Sequence, residues 1–134
     1  MFLKKGGEAR PENGAGEKMK VLWLSRHAAT QEQVAALEEK FGAVEIVQVS
    51  KTVSSASEVV ELMKANDCQE MVVVLPPAIL ADLTNPRISP VKPIRAVMNR
   101  VPNGQKNEKG EDEFDFVFSH FERVERVEIV TTPL

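Results

Sequence analysis

The stretch KVLWLSRHAATQEQVAALEEKFGAVEIVQVS, residues 20–50, predicts a strand, a helix and a second strand in succession. Its first part, KVLWLS (20–25), is a nearly continuous apolar run, which is typical of a strand buried on both faces. Residues 31–41 place apolar side chains at helical spacing, and Gly42 supplies a stop signal. VEIVQVS (44–50) alternates in the manner of a strand. This order predicts two parallel strands joined by a right-handed crossover.

The alternation of strands and helices continues along the chain. SASEVVELMKAN (55–66) predicts a second helix, with Ser55 and Glu58 at capping-box spacing, and EMVVVLP (70–76) predicts the most apolar strand. The later predicted elements are a short helix from Pro76 and Pro77 to Leu83, a fourth strand over 92–99, a flexible polar loop over 101–113 with a turn signal at Asn103 and Gly104, a fifth strand over 114–121, and an extension or last edge strand over 126–131. Together they predict an α/β domain whose mostly parallel sheet has about five strands, flanking helices and a C-terminal β extension.

Composition and charge exclude several classes of protein. A chain of 134 residues suits one domain with its own core. No apolar run approaches the roughly 18 residues of a membrane span, and no secretory apolar region is present, so we expect neither a membrane nor a secreted protein. A net charge of −3 argues against duplex DNA as a partner. With Cys68 as the single cysteine, we expect no internal disulfide, no closed zinc site and a reducing, cytoplasmic setting.

The first 18 residues, MFLKKGGEARPENGAGEK, are rich in glycine and charge and show no apolar periodicity. Such a segment cannot bury enough surface to offset its ordering entropy. We therefore predict a disordered tail over 1–18 and a folded domain over 19–134. Met19 opens the first strand, and the residues leave open whether the natural chain starts there.

The predicted topology brings polar side chains to one edge of the sheet, because ligands and the residues that bind them gather at the carboxyl ends of parallel strands. The residues at that edge are Ser25, Arg26 and His27 after the first strand, Ser50, Lys51 and Thr52 after the second, Pro76 and Pro77 after the third, and Asn99 and Arg100 at the end of the fourth. Arginine can bind phosphate, and the helix N-terminus beyond His27 adds amide donors. Cys68 precedes the third strand, so we expect a half-buried thiol at the opposite pole.

Several of these residues have a purely structural alternative. Thr30 and Gln33 have the spacing of a capping box, which accounts for TQEQ as a helix start. A cap does not need Arg26 or His27, which either face a ligand or form a solvated or salt-bridged strand end. His120, on a phenylalanine-rich strand, is either a hydrogen-bonded structural residue or a ligand contact.

Two family resemblances bear on these residues. LSRHAAT (24–30) is similar to the start of the histidine phosphatases, with Ala28 in place of a glycine and FSH (118–120) as the source of a second histidine. Over residues 20–131 the chain resembles small CRISPR-associated proteins with a single Rossmann-like domain, which are related to the ring nucleases that cleave cyclic oligoadenylate messengers. The motifs that carry this resemblance are His27, Thr30 and Gln33 in a His-x-x-Thr-x-x-Gln turn, VVVLPPAILADL (72–83), AVMNR (96–100) and FVFSHFER (116–123).

The second resemblance implies a metal-independent phosphodiesterase, without a cofactor, that binds and cleaves a cyclic oligoadenylate. It also implies a homodimer whose twofold axis places two copies of the strand-end edge against a cyclic ligand. The implied roles are catalysis by His27 and Arg26, phosphate contacts from Arg26, Arg100 and Lys51, hydrogen bonds from Ser25 and Thr52, and further ligand contacts from Thr30, Asn99 and His120. Two other hypotheses stay open: a non-catalytic module that senses or sequesters a nucleotide, and a scaffold that binds a partner without a small ligand.

Overall fold

The computed structural model describes residues 18–134, which form helices on both faces of a five-stranded sheet. The elements in chain order are β1 (Met19–Leu24), α1 (Gln31–Phe41), β2 (Val44–Val49), α2 (Ala56–Ala65), β3 (Glu70–Val73), α3 (Pro77–Leu83), β4 (Ile94–Lys106) and β5 (Asp112–Arg123). The tail predicted over residues 1–18 lies outside the described part of the chain, apart from its last residue.

The strand order in the sheet is β2-β1-β3-β4-β5. β1 is parallel to both β2 and β3, β3 is parallel to β4, and β5 is antiparallel to β4. The predicted fold class, an α/β domain with a mostly parallel sheet, is confirmed. The chain leaves β1 in one direction to form β2 and returns to the other side of β1 to form β3. A crevice is expected outside the carboxyl ends of the strands at such a reversal.

The core has two layers, one on each face of the sheet. Val21 and Trp23 of β1 pack with Leu37 of α1 on one face. Leu22 and Leu24 pack on the other face with apolar side chains of α2 and α3. All four β1 side chains are buried, which explains why this strand is continuously apolar rather than alternating.

The helix starts follow the predicted signals. The Thr30 hydroxyl accepts a hydrogen bond from the Gln33 amide (3.2 Å), and the Gln33 side chain accepts one from the Thr30 amide (2.9 Å), so the predicted capping box of α1 is confirmed. Ser55 caps α2 by accepting from the Glu58 amide (3.3 Å). Pro77 begins α3, where a missing N–H forfeits no helical hydrogen bond.

The prediction of a flexible loop over 101–113 is wrong, because most of that segment belongs to a long β4–β5 hairpin. The chain turns later than predicted, at Asn107, whose Oδ1 accepts from the amides of Lys109 (2.9 Å) and Glu111 (3.0 Å). Gly104 instead lies within β4 at φ +82°, where the β4–β5 pairing is irregular. We call residues 98–118, the part of the hairpin that extends beyond β3, the arm.

The segment over 126–131, predicted as an extension or last edge strand, pairs with no strand in the described part of the chain. The last hydrogen bond at the end of β5 runs from the Val124 amide to the Pro93 carbonyl (2.8 Å). Beyond it, Ile129 and Val130 are 80% and 86% exposed. The base of β5 is held by Arg123, which donates to both carboxylate oxygens of the buried Glu70 on β3 (2.6 and 3.1 Å).

Candidate functional site

A cleft of about 400 Å³ opens at the carboxyl ends of β1, β2 and β3. Its lining consists of Leu24, Ser25, Arg26, His27, Val49, Ser50, Lys51, Thr52, Val53, Val74, Leu75 and Pro76. The volume is in the range of small-ligand sites, and the position is the one at which α/β sheets bind ligands. The structure therefore brings together the residues predicted after the first three strands, except Pro77, which begins α3 and lies outside the lining.

The loop that follows β1 is fixed through its backbone. The Trp23 indole donates to the His27 carbonyl (2.7 Å), and the Ser25 hydroxyl accepts from the His27 amide (3.2 Å). The Ser25 carbonyl accepts from the Gln48 amide group (3.2 Å) and from the Ser50 hydroxyl (3.3 Å), which ties this loop to β2. The side chains of Arg26 and His27 are exposed at the cleft.

Thr30 lies outside the cleft lining, and both its hydroxyl and its amide are used in the α1 capping box. The interpretation of TQEQ (30–33) as a capping box that starts a helix is thus confirmed. The His-x-x-Thr-x-x-Gln motif combines one residue at the cleft, His27, with two that start a helix.

The loop after β2 is held by Glu58 in the first turn of α2. Glu58 Oε1 accepts from the Ser54 hydroxyl (2.6 Å) and the Ser54 amide (2.7 Å), and Oε2 lies 3.8 Å from the Lys51 Nζ. These Ser54 hydrogen bonds, with a smaller contribution from Lys51, lower the pKa of the Glu58 carboxyl. The sequence predicted that Ser55 and Glu58 form a capping box. Ser55 does cap α2, but the Glu58 side chain accepts from Ser54 instead and so supports the cleft loop.

The β3 side of the cleft is an apolar wall, of which the sequence analysis named only Pro76. EMVVVLP predicts a strand through residue 76, but β3 ends at Val73, and Val74 is 74% exposed at the cleft. Leu75 and Pro76 continue this wall. Pro76 could have indicated the early end of β3, because proline has no backbone N–H to donate to the hydrogen bonds between strands.

Asn99 and Arg100 do not reach the cleft. β4 pairs with β3 at Ile94, and Arg100 lies roughly 20 Å further along the strand, at about 3.3 Å per residue. On the arm its guanidinium carbon lies 3.8 Å from the centroid of the Phe114 ring. The expectation that these two residues join the strand-end site is corrected, because β4 continues past the level at which β1, β2 and β3 end.

His120 lies on β5, near α1 and away from the cleft, beside a second cavity of about 470 Å³. Its Nδ1 is 2.8 Å from the Ser119 hydroxyl, and its Nε2 is 3.1 Å from Glu122 Oε2. Glu122 also accepts from Arg95 (2.9 Å), and these two partners lower the pKa of its carboxyl, with Arg95 the larger cause. The structure thus favours the hydrogen-bonded structural interpretation of His120.

Cys68 precedes β3 at the pole opposite the cleft, as predicted. It is partly buried, and burial raises the pKa of its thiol. Among residues 18–134 there is no group of three or more His, Cys, Asp or Glu side chains that could hold a metal ion. No helix in that same range is long and apolar enough to cross a membrane.

The fold and the cleft define a doubly wound α/β protein with a ligand-sized site at its strand ends. The chain matches no protein-family model, no curated protein and no solved structure. The function is therefore argued from the cleft itself.

Proposed function

We propose that the strand-end cleft binds a nucleotide phosphate and that the protein is a phosphodiesterase acting on a cyclic oligoadenylate. One observation carries the proposal. The cleft lining contains arginine, lysine, histidine and hydroxyl side chains but no carboxylate among the described residues, although the whole chain has a net charge of −3. Glu58, which contacts Lys51 at 3.8 Å, lies outside that lining, and Arg26 has no carboxylate partner within residues 18–134. A local positive site in an acidic protein is selective for an anion.

The two sides of the cleft suit the two parts of a nucleotide. Arg26 and Lys51 would pair with phosphate, and the hydroxyls of Ser25 and Thr52 would donate to phosphate or accept from ribose. On the opposite side, Val74 and its neighbours offer an exposed apolar surface for a base. The cleft is open, so it would hold one phosphate and its neighbouring nucleoside while the rest of the ring stays outside.

In the proposed reaction the ribose 2′-hydroxyl attacks the adjacent phosphorus in line, and the bond from phosphorus to the 5′-oxygen breaks. His27 accepts the proton of the 2′-hydroxyl and afterwards releases it to solvent, while the departing 5′-oxygen takes up a proton from solvent, so that no water is consumed overall. Arg26 stabilises the charge that develops on the phosphoryl oxygens. The products are a linear chain with a 2′,3′-cyclic phosphate at one end and a 5′-hydroxyl at the other. Metal independence is part of the proposal, as the ring nuclease resemblance implies.

A second candidate, a non-catalytic module that binds the same nucleotide, is favoured by one feature of the cleft. Within residues 18–134, no hydrogen bond orients the His27 imidazole, since the bonds of this residue are made by its backbone. A side chain that acts as a catalytic base in an enzyme is usually held in orientation by a hydrogen bond to another side chain or backbone group. In the enzymatic proposal the bound ligand itself must supply that orientation.

The histidine-phosphatase alternative requires two histidines at one site. His27 follows β1, whereas His120 lies on β5, and two strands separate β1 from β5 in the sheet. The geometry therefore gives this alternative no support. A cytoplasmic location remains part of the proposal, because a single partly buried thiol suits a reducing compartment. A homodimer also remains part of it, but binding and cleavage at one cleft do not require any particular arrangement of the two copies.

The test is incubation of the protein with a panel of cyclic oligoadenylates, followed by chromatography of the products. Appearance of the linear 2′,3′-cyclic phosphate would support the enzyme. A nucleotide-dependent rise in Tm without products would support the binding module, and no effect on Tm or on the ring would contradict both.

A further inference from the structure

The outer edge of the sheet at the base of β5 is open in the described part of the chain. β5 lies at one end of the strand order, and within residues 18–134 it pairs with β4 alone. The Val124 amide points inward to the Pro93 carbonyl. Because backbone groups alternate in direction along a strand, Arg123, the last residue of β5, directs its N–H and C=O groups outward, and Glu125 would do the same once a partner extends the strand past Val124. Such an edge is a template for another strand.

The segment that follows β5 has the composition of a strand but no partner within residues 18–134. Residues 126–131, RVEIVT, are rich in β-branched side chains. Between His120 and Thr131 there is no Gly, Pro, Asn or Asp to reverse the chain onto its own β5 edge. The segment therefore suits a strand that pairs with another molecule.

We propose that residues 120–128, HFERVERVE, pair antiparallel with the same residues of a second copy, with Val124 at the twofold axis. The two five-stranded sheets then form one continuous sheet. The interface is isologous, as in most homodimers, because each copy presents the same strand to the other.

The sequence of this segment is complementary to its own reverse. The pairs about Val124 are Arg123 with Glu125 of the second copy, Glu122 with Arg126, His120 with Glu128, and Phe121 with Val127. Every charged pair is of opposite sign when His120 is protonated, and opposite charges across a strand pair are stabilising.

Neighbouring registers lack this complementarity. A shift of one residue places Arg123 opposite Arg126, and a shift in the other direction places Glu122 opposite Glu125. Like charges directly opposite each other are destabilising. In the proposed register the outward backbone groups of Arg123 would form a hydrogen-bonded pair with those of Glu125 of the second copy.

Most of the charged side chains in this segment now form ion pairs within their own chain that could be replaced by pairs across the dimer interface. Arg126 contacts Glu128 (2.9 Å) and Glu125 contacts Lys92 (3.0 Å), with these side chains between 43% and 79% exposed. Exposed ion pairs of this kind contribute little, so their rearrangement costs little. Arg123 can keep its contact with Glu70, which is made by its side chain, while its backbone pairs outward.

This dimer differs from the one expected from the resemblance. A twofold axis normal to the sheet carries the two clefts to opposite poles, so each cleft would bind its own ligand. The pairing itself does not depend on what the cleft binds, and its failure would leave the proposed function of the cleft unaffected.

A single cysteine at the axis tests the register. In a non-hydrogen-bonded antiparallel pair the Cα atoms are about 4.5 Å apart, within the range of a disulfide. In a Cys68→Ser background, Val124→Cys should form a disulfide-linked dimer under mild oxidation. Val130→Cys is the matched control, because residue 130 is highly exposed but lies far from its own copy in this register. Equal cross-linking at both positions, or none at residue 124, would overturn the proposal.

Sedimentation equilibrium tests the charge pairs. The parent protein should dimerise, Arg126→Glu should raise the dimer Kd about tenfold because the altered pair occurs twice in the interface, and Arg126→Lys should leave the Kd near that of the parent. A parent that stays monomeric, or a dimer whose Kd is the same in Arg126→Glu, would contradict the proposed interface.

Discussion

The indole Nε1 of Trp23 donates a hydrogen bond of 2.7 Å to the backbone carbonyl of His27. Trp23 is a core residue, 4% exposed, and its ring packs edge-on against Phe121 at a centroid distance of 6.1 Å. One side chain therefore contributes to the core and also fixes the backbone of the loop that carries Arg26 and His27. We infer that this contact helps to position Arg26 and His27, together with the hydrogen bonds of Ser25.

Trp23→Phe should remove the hydrogen bond while keeping an aromatic ring in the core. We expect a loss of about 1 kcal/mol from the hydrogen bond, together with weaker nucleotide binding because the loop is less well fixed. Phe121→Leu is the control, since it alters the same packing but leaves the indole hydrogen bond in place. Chemical denaturation and calorimetric titration measure both effects. If the two variants lose the same affinity, the hydrogen bond does not position the loop.

His27→Ala should leave binding of a cyclic oligoadenylate largely intact and slow its cleavage by about a hundredfold or more, the usual scale for a lost acid or base. His120→Ala should keep the parent rate, because His120 lies outside the cleft lining. Single-turnover chromatography of both variants provides the rates. A parent rate in His27→Ala would rule out proton transfer by this residue.

Thr30→Ala should cost about 1 kcal/mol of stability through loss of the α1 cap, and it should leave nucleotide affinity unchanged. Thr30→Ser keeps a hydroxyl at the N-cap and should retain most of the stability. Urea denaturation of the two variants beside the parent measures the difference. A marked loss of affinity in a folded Thr30→Ala protein would show that the hydroxyl contacts ligand.

Ser54→Ala should raise the pKa of Glu58 toward its ordinary value, because the Ser54 hydroxyl is the largest cause of the lowered pKa. A lowered pKa in the folded state means that Glu58 contributes stability above its unfolded pKa and loses that contribution as the pH falls through the folded value. NMR titration of the Glu58 carboxyl carbon follows the change, with Ser57→Ala as the control. An unchanged Glu58 pKa would contradict the assigned cause.

Local patterns predicted much of the fold. The buried strand β1 and the Thr30–Gln33 capping box both depend on a few residues that are adjacent in sequence, and both were predicted correctly. The β4–β5 arm was missed because Gly104 looks like a turn in sequence. The structure accommodates it as an irregularity in a strand, while Asn107 makes the turn through its own side chain.

Part of the candidate site was also predictable. Ser25 to His27 and Ser50 to Thr52 meet because parallel strands end at the same level, which topology alone indicates. Arg100 was misplaced because the sequence does not show how far β4 extends beyond its neighbours. The exposed Val74 was missed because an apolar run does not indicate which of its residues lies beyond the last paired one.

The affinity of a cyclic oligoadenylate for the parent, for Arg26→Ala and for Arg87→Ala is the most direct measure of the central claim. Arg26 lines the cleft, whereas Arg87 is an exposed arginine outside its lining. We expect the parent and Arg87→Ala to bind alike and Arg26→Ala to bind at least about tenfold more weakly, because a charge-assisted phosphate contact is lost. Equal affinity in all three proteins, or no binding by the parent, would contradict the assignment of the strand-end cleft as a nucleotide site.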